Sequence, residues 1–68
     1  MENRERLLAR VAIDPEIQEG RPVIKGTRVP VARIVGALSA GASFEELRDD
    51  YGLQDKDIRA ALAYRPRR

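Results

Sequence analysis

The chain has no cysteine and no histidine among its 68 residues. Without cysteine there is no disulfide, no thiolate metal site and no thiol nucleophile. Without histidine, the commonest metal ligand and the commonest general base are missing as well. No glycine-rich loop opens a helix with a lysine, so a phosphate cradle of the nucleotide-binding kind is excluded. The apolar run near the start is only Leu7-Leu8-Ala9, behind the charged segment Met1-Glu2-Asn3-Arg4-Glu5-Arg6. That is too short for a membrane span and has the wrong flanks for a secretory leader. The expectation is a cytoplasmic protein with no membrane contact.

A chain of this length buries only about 60% of its unfolded surface, so a core of its own is marginal. Capped helices or association with a second chain must supply the rest, and a homodimer is expected. The hydroxyls of Thr27, Ser39 and Ser43 have no histidine to activate them. Glu45-Glu46 and Asp49-Asp50 are adjacent acids, and adjacent positions diverge on a helix, so they do not converge on one metal or one water. No catalytic residue, cofactor or metal is expected.

Charge is unevenly spread. Residues 1–19 carry −2, residues 20–41 carry +4 with no acid, residues 42–58 carry −4, and residues 59–68 carry +4. Two basic blocks thus flank an acidic one. The first is Arg21, Lys25, Arg28 and Arg33; the second is Arg59, Arg65, Arg67 and Arg68, the last three on a tail that Pro66 keeps extended.

Prolines and glycines punctuate residues 13–31. Pro22 and Pro30 forbid helix and push their predecessors toward extended geometry, while Gly20 and Gly26 suit turns that need positive φ. Strands are expected at Arg10–Ile13, with Val11 and Ile13 on one face, and at Val23–Lys25. A first helix is expected from Val31 to Ala40, where Val31, Ile34, Val35 and Leu38 form one stripe, stopped by Gly41. Gly36 inside it costs about 1 kcal/mol against alanine and suggests close approach of another backbone. Ser43 and Glu46 form a capping box for a second helix, which Gly52 ends. A third helix runs from about Asp55, taken as its cap, to Tyr64, and Pro66 forbids its continuation.

Gly26-Thr27-Arg28-Val29-Pro30-Val31, preceded by Ile13-Asp14-Pro15 and followed by Ile58-Arg59-Ala60-Ala61-Leu62-Ala63-Tyr64, resembles the hallmark of a small bacterial family, the domain of unknown function family number 433. The resemblance implies a mainly α fold with a short N-terminal β-hairpin and a three-helix helix-turn-helix unit of homeodomain-like type. It also implies an antitoxin-like protein of a toxin–antitoxin pair, whose toxin resembles a PIN-type ribonuclease. The organisation expected is one domain over residues 1–68: strands and corner at 9–30, three helices at 31–64, and a basic tail at 65–68.

With Gly52 as the turn glycine, Leu47, Tyr51, Leu53, Ile58 and Ala61 take the five apolar positions that a helix-turn-helix needs. Arg48 departs from the pattern, standing where a small residue normally fits. The same apolar spacing would also serve a plain three-helix cluster. In this register the third helix exposes Gln54, Lys56, Arg59 and Ala60, and Lys, Arg and Gln can address base edges. Asp55 and Asp57 would repel phosphates there, unless they serve the helix dipole. Candidate DNA contacts are therefore Gln54, Lys56, Arg59, Arg65, Arg67, Arg68, Arg21, Lys25 and Arg28, with a buried or paired role for Arg28 as its alternative. Glu45, Glu46, Asp49 and Asp50 are candidates for docking a basic protein partner such as a ribonuclease toxin. Two classes stay open: a DNA-binding regulator that also binds a toxin, and an interaction or dimerisation module that binds no DNA.

Overall fold

A computed structural model describes residues 3–64. The elements run in the order α1 (Arg4–Leu8), β1 (Val11–Ala12), β2 (Val23–Ile24), α2 (Val31–Ser39), α3 (Phe44–Tyr51) and α4 (Asp55–Tyr64). The fold is mainly helical with a short antiparallel hairpin near its N-terminus, Val11 facing Ile24 and Ala12 facing Val23. Among the described residues there are four α-helices where the sequence pattern suggested three. The additional one, α1, is capped by Asn3, whose side chain accepts from the Glu5 N–H at 2.6 Å.

Chain punctuation sets the helix ends. Pro30 stands at the start of α2 with φ −68°, and the Val31 N–H donates to the Pro22 carbonyl at 2.9 Å. At the other end Gly41 has φ +102°. The Gly41 N–H donates to Leu38 and the Ala42 N–H to Ala37, a Schellman closure that satisfies the last carbonyls. The Ser43–Glu46 capping box forms in both directions, at 2.8 and 3.1 Å. Gly52 closes α3 in the left-handed region at φ +68°.

The hairpin is better protected than two-residue strands suggest. Val23 also bridges Pro30, and the Ile24 N–H donates to the Val29 carbonyl at 3.0 Å. The corner between them is stitched by Thr27, whose hydroxyl donates to the Ile24 carbonyl and accepts from the Val29 N–H. Gly26 in that corner has φ +82°, and nothing lies within 4 Å of where a Cβ would stand. The demand for glycine here is conformational rather than steric. Gly26→Val is expected to destabilise by about 1–3 kcal/mol in a denaturant melt, and Gly26→Asn by clearly less, because asparagine tolerates the left-handed region.

The core is formed by Ile24, Val31, Ile34, Leu47, Leu53, Ile58, Ala60 and Ala61, with Leu7, Val11, Phe44 and Tyr64 among the residues packed against it. Helix α4 is the hub: α1, α2, α3 and both strands all touch it. Three expectations change as a result. Ile13 does not share the buried face of Val11; it lies beyond the strand and is 59% exposed. Ala60, expected on the exposed face, is fully buried, because α4 is flanked on several sides rather than one. Gly36 faces open space, with nothing within 4 Å of a Cβ built on it, so among the described residues no other backbone packs against it.

Residues 14–21 hold a feature the sequence did not signal. Asp14 closes a turn by accepting from the Glu16 N–H at 2.9 Å, and then Gln18, Glu19 and Gly20 follow with φ of 52°, 57° and 84°. Two consecutive non-glycine residues in the left-handed region cost roughly 1–2 kcal/mol each. The neighbouring structure must hold them there.

Candidate nucleic-acid and partner interface

The turn around Gly52 brings α3 and α4 together as the helix-turn-helix register requires. Leu47, Leu53, Ile58 and Ala61 are buried and Tyr51 is half-buried. Arg48, the residue that departs from the pattern, does not enter the space between the helices. Its guanidinium reaches across the turn and pairs with Asp55. Asp55 is therefore the first helical residue and an ion-pair partner, not the cap. Gln54 holds the cap position, since its carbonyl accepts from the Asp57 and Ile58 N–H groups.

Asp57 also departs from expectation. Its side chain turns inward and the residue is only 8% exposed. One carboxylate oxygen accepts from Arg10 Nη1 at 2.9 Å, and the other accepts from the Gln54 N–H at 2.9 Å. The second bond is the reciprocal arm of a capping box, made without a Ser or Thr at the cap. The first ties α4 to the start of the hairpin. Asp57→Ala removes both, and Arg10, half-buried, can rehydrate. The expected cost is about 2 kcal/mol, a fall of roughly 10–15 °C in Tm for a domain of this size. Arg10→Gln should cost less, and a double-mutant cycle should show the two coupled.

With Asp57 buried and Asp55 paired, the exposed edge at the start of α4 carries Gln54, Lys56 and Arg59. Lys56 and Arg59 are three residues apart and share that edge. The repulsion of phosphates expected from the two acids is thereby largely cancelled.

Arg21, Lys25 and Arg28 are all exposed, Arg21 ahead of β2 and the other two in the corner after it. Arg28 is neither buried nor, among the described residues, ion-paired, and the corner is fixed by Thr27 instead. Arg65, Arg67 and Arg68 lie outside the described residues. Glu45, Glu46, Asp49 and Asp50 are exposed on the outer side of α3, with Glu46 also serving the capping box. Residues at i and i+4 are neighbours on a helix, so Glu45 with Asp49 and Glu46 with Asp50 form two rows of carboxylates along that outer side.

Two further surfaces were not anticipated. An apolar groove of about 310 Å³ runs between Pro22, Val31, Ala32, Val35, Gly36 and Tyr64. A smaller concavity brings Arg28 together with Gln18, Arg33 and Tyr51. Their components are far apart in sequence and carry no spacing signal. Among the described residues no three acidic groups cluster to hold a metal, and no helix is long and apolar enough to cross a membrane.

The family model described as "Protein of unknown function (DUF433)" matches residues 11–64. The chain belongs to this family. It is 44% identical over 54 residues to a Mycobacterium tuberculosis protein named "Putative antitoxin VapB45", covering 79% of this chain and 23% of that protein. An uncharacterised protein of Sinorhizobium fredii, y4eO, is 38% identical over 55 residues, covering 79% of this chain and 25% of its own length. Among solved structures, a DUF433 member from Anabaena variabilis superposes with a TM-score of 0.77 at 34% identity, over 88% of this chain and 60% of that one. The crystal structure of Rv2018 from Mycobacterium tuberculosis superposes with a TM-score of 0.69 at 44% identity, over 76% of this chain and 24% of that one. The chain thus spans about a quarter of the length of the curated relatives it matches. The match to the family takes in the hairpin, the corner and all of α2, α3 and α4, but not α1.

Proposed function

We propose that this chain is a non-enzymatic, antitoxin-type protein of the bacterial cytoplasm, which binds duplex DNA through α4 and a toxin protein through α3. The observation that carries the reading is the separation of charge on the two helices of the helix-turn-helix unit. The outer face of α3 offers Glu45, Glu46, Asp49 and Asp50, while the exposed edge of α4 offers Lys56 and Arg59 with its own acids neutralised. An acidic face suits a basic protein, such as a ribonuclease that attracts RNA. The cationic edge suits phosphates, with Gln54 and Lys56 reaching for bases. Arg21, Lys25, Arg28, Arg65, Arg67 and Arg68 add sequence-independent contacts. The name carried by the Mycobacterium tuberculosis relative supports the antitoxin class.

Enzymatic chemistry has little to work with. The Ser43 hydroxyl caps α3 and the Thr27 hydroxyl stitches the corner. A homodimer is part of the proposal, with the groove between Pro22, Val35, Gly36 and Tyr64 as the surface that a second copy covers. Sedimentation equilibrium at micromolar concentration is expected to give a mass well above 7.6 kDa; a monomer at every concentration refutes the dimer.

The second reading is an interaction module without DNA, which the four exposed acids of α3 would serve on their own. Fluorescence anisotropy on duplex from upstream of its own reading frame, with and without the neighbouring gene's product, separates the two. Binding by the free chain, or by the complex, supports the DNA-binding reading. Co-purification with the neighbour and no duplex binding in either state supports the interaction module.

A further inference from the structure

Three separate parts of the chain meet around a concavity of about 250 Å³: the turn at Gln18, the corner Arg28-Val29-Pro30 with Arg33 of α2, and Tyr51 at the end of α3. Among the described residues no carboxylate lines it. Arg28 and Arg33 are exposed, and among the described residues neither is ion-paired, unlike Arg10 and Arg48. Val29, Pro30 and the half-buried Tyr51 ring form an apolar floor. Such a floor lowers the local dielectric and strengthens attraction for an anion above it. The Gln18 amide reaches the Arg28 carbonyl at 3.5 Å from a residue held at φ +52°. The strained turn therefore sits against the same corner.

We propose that this concavity seats a phosphate of a nucleic-acid backbone, gripped by the Arg28 and Arg33 guanidinium groups, with the Tyr51 ring under the adjoining sugar. The proposal rests on the DNA-binding reading and deepens it, because it names a contact separate from the α4 edge. Arg28 lies three residues before the start of the first helix of the three-helix unit, in the segment where homeodomains carry an arm that enters a groove. Here that segment is not a free arm. The bonds of Ile24, Thr27 and Val29 pin it, so it can meet a phosphate at the surface but cannot thread between bases. Two guanidinium forks match the several acceptor oxygens of a phosphate. An acidic protein is the weaker candidate, since the carboxylates of α3 already call for a basic one.

The test uses the full chain, labelled so that each arginine Nε–H signal is resolved. Titration with dithymidine phosphate, a single phosphodiester, is expected to move the Arg28 and Arg33 signals and leave those of Arg10 and Arg48 in place. On duplexes of two unrelated sequences, Arg33→Gln should flatten the plot of log affinity against log salt by about 1, and Arg28→Gln with Arg33→Gln by about 2, equally on both. Arg33 is exposed on a helix surface, so the single variant is expected to keep the parent's melting curve. If duplex binding persists with an unchanged slope in these variants, the seat is refuted while the α4 reading stands. If the chain binds no duplex but the two signals still respond to the phosphodiester, the seat stands and the α4 reading falls. No response to the phosphodiester, or a response at lower concentration to an aspartate-rich peptide, overturns the proposal.

Discussion

Ile58→Ala is expected to remove about half of this protein's stability. Ile58 is fully buried in α4, the helix that every other element touches. Truncating a buried isoleucine to alanine costs about 2–5 kcal/mol, the transfer loss plus the cavity left behind. At roughly 0.05–0.15 kcal/mol per residue, a chain of this size has only about 3–10 kcal/mol in total. The substitution therefore consumes much of its stability. Ile13→Ala is the control, because Ile13 is 59% exposed and lies outside the core cluster; its change should stay within about 0.5 kcal/mol. Urea melts followed by circular dichroism measure both. Similar midpoints for the two variants would remove α4 from the centre of the fold.

The contrast between these two isoleucines shows what the sequence reveals and what it hides. Helix ends were legible because they depend on neighbours: Ser43 with Glu46, Gly41 after Ser39, Gly52 after Tyr51. The hairpin was legible in outline for the same reason, through Pro22, Gly26 and Pro30. Burial of Ala60 was not, because a small residue contributes little to a periodic pattern and its fate depends on which elements pack around α4. The five-residue α1 was missed because so short a helix is unstable alone; it persists by resting on α4. Asn3 as a cap and Leu7 as an anchor were the available signals. Gly36 has no packing cause among the described residues, since nothing lies within 4 Å of where its Cβ would be.

The candidate site divides the same way. Exposure of Gln54, Lys56 and Arg59 followed from helix geometry and the Gly52 register. The fate of the acids beside them did not, because Arg10 and Asp57 are 47 residues apart and no local rule pairs them. Arg48 illustrates a related limit. A residue that breaks a packing pattern looked like a defect, and it proves to be the partner of Asp55 across the turn. Both pairings alter the electrostatics of α4 in one direction, leaving its exposed edge cationic. A local count of charges over residues 42–58, at −4, pointed the other way because it could not see which acids are spent inside the fold.

The double substitution Lys56→Glu with Arg59→Glu is accordingly expected to abolish duplex binding, lowering affinity by a hundredfold or more near 0.1 M salt. Two cations lost flatten the salt dependence by about 2, and the two anions gained add repulsion at the same phosphates. Both residues are exposed, so the variant should melt close to the parent and its loss of binding cannot be charged to unfolding. Lys56→Gln alone should weaken binding less and reduce discrimination between the native upstream duplex and a scrambled one, if Lys56 reads bases. Reversing the other surface, Glu45→Lys with Asp49→Lys, should spare or strengthen duplex binding and weaken co-purification with the neighbouring gene's product. Anisotropy at two salt concentrations, with each variant alone and with that product, gives the comparison. If the α4 double variant binds duplex as tightly as the parent, α4 does not face DNA. If it instead loses the protein partner while the α3 variant keeps it, the two helices hold the opposite roles.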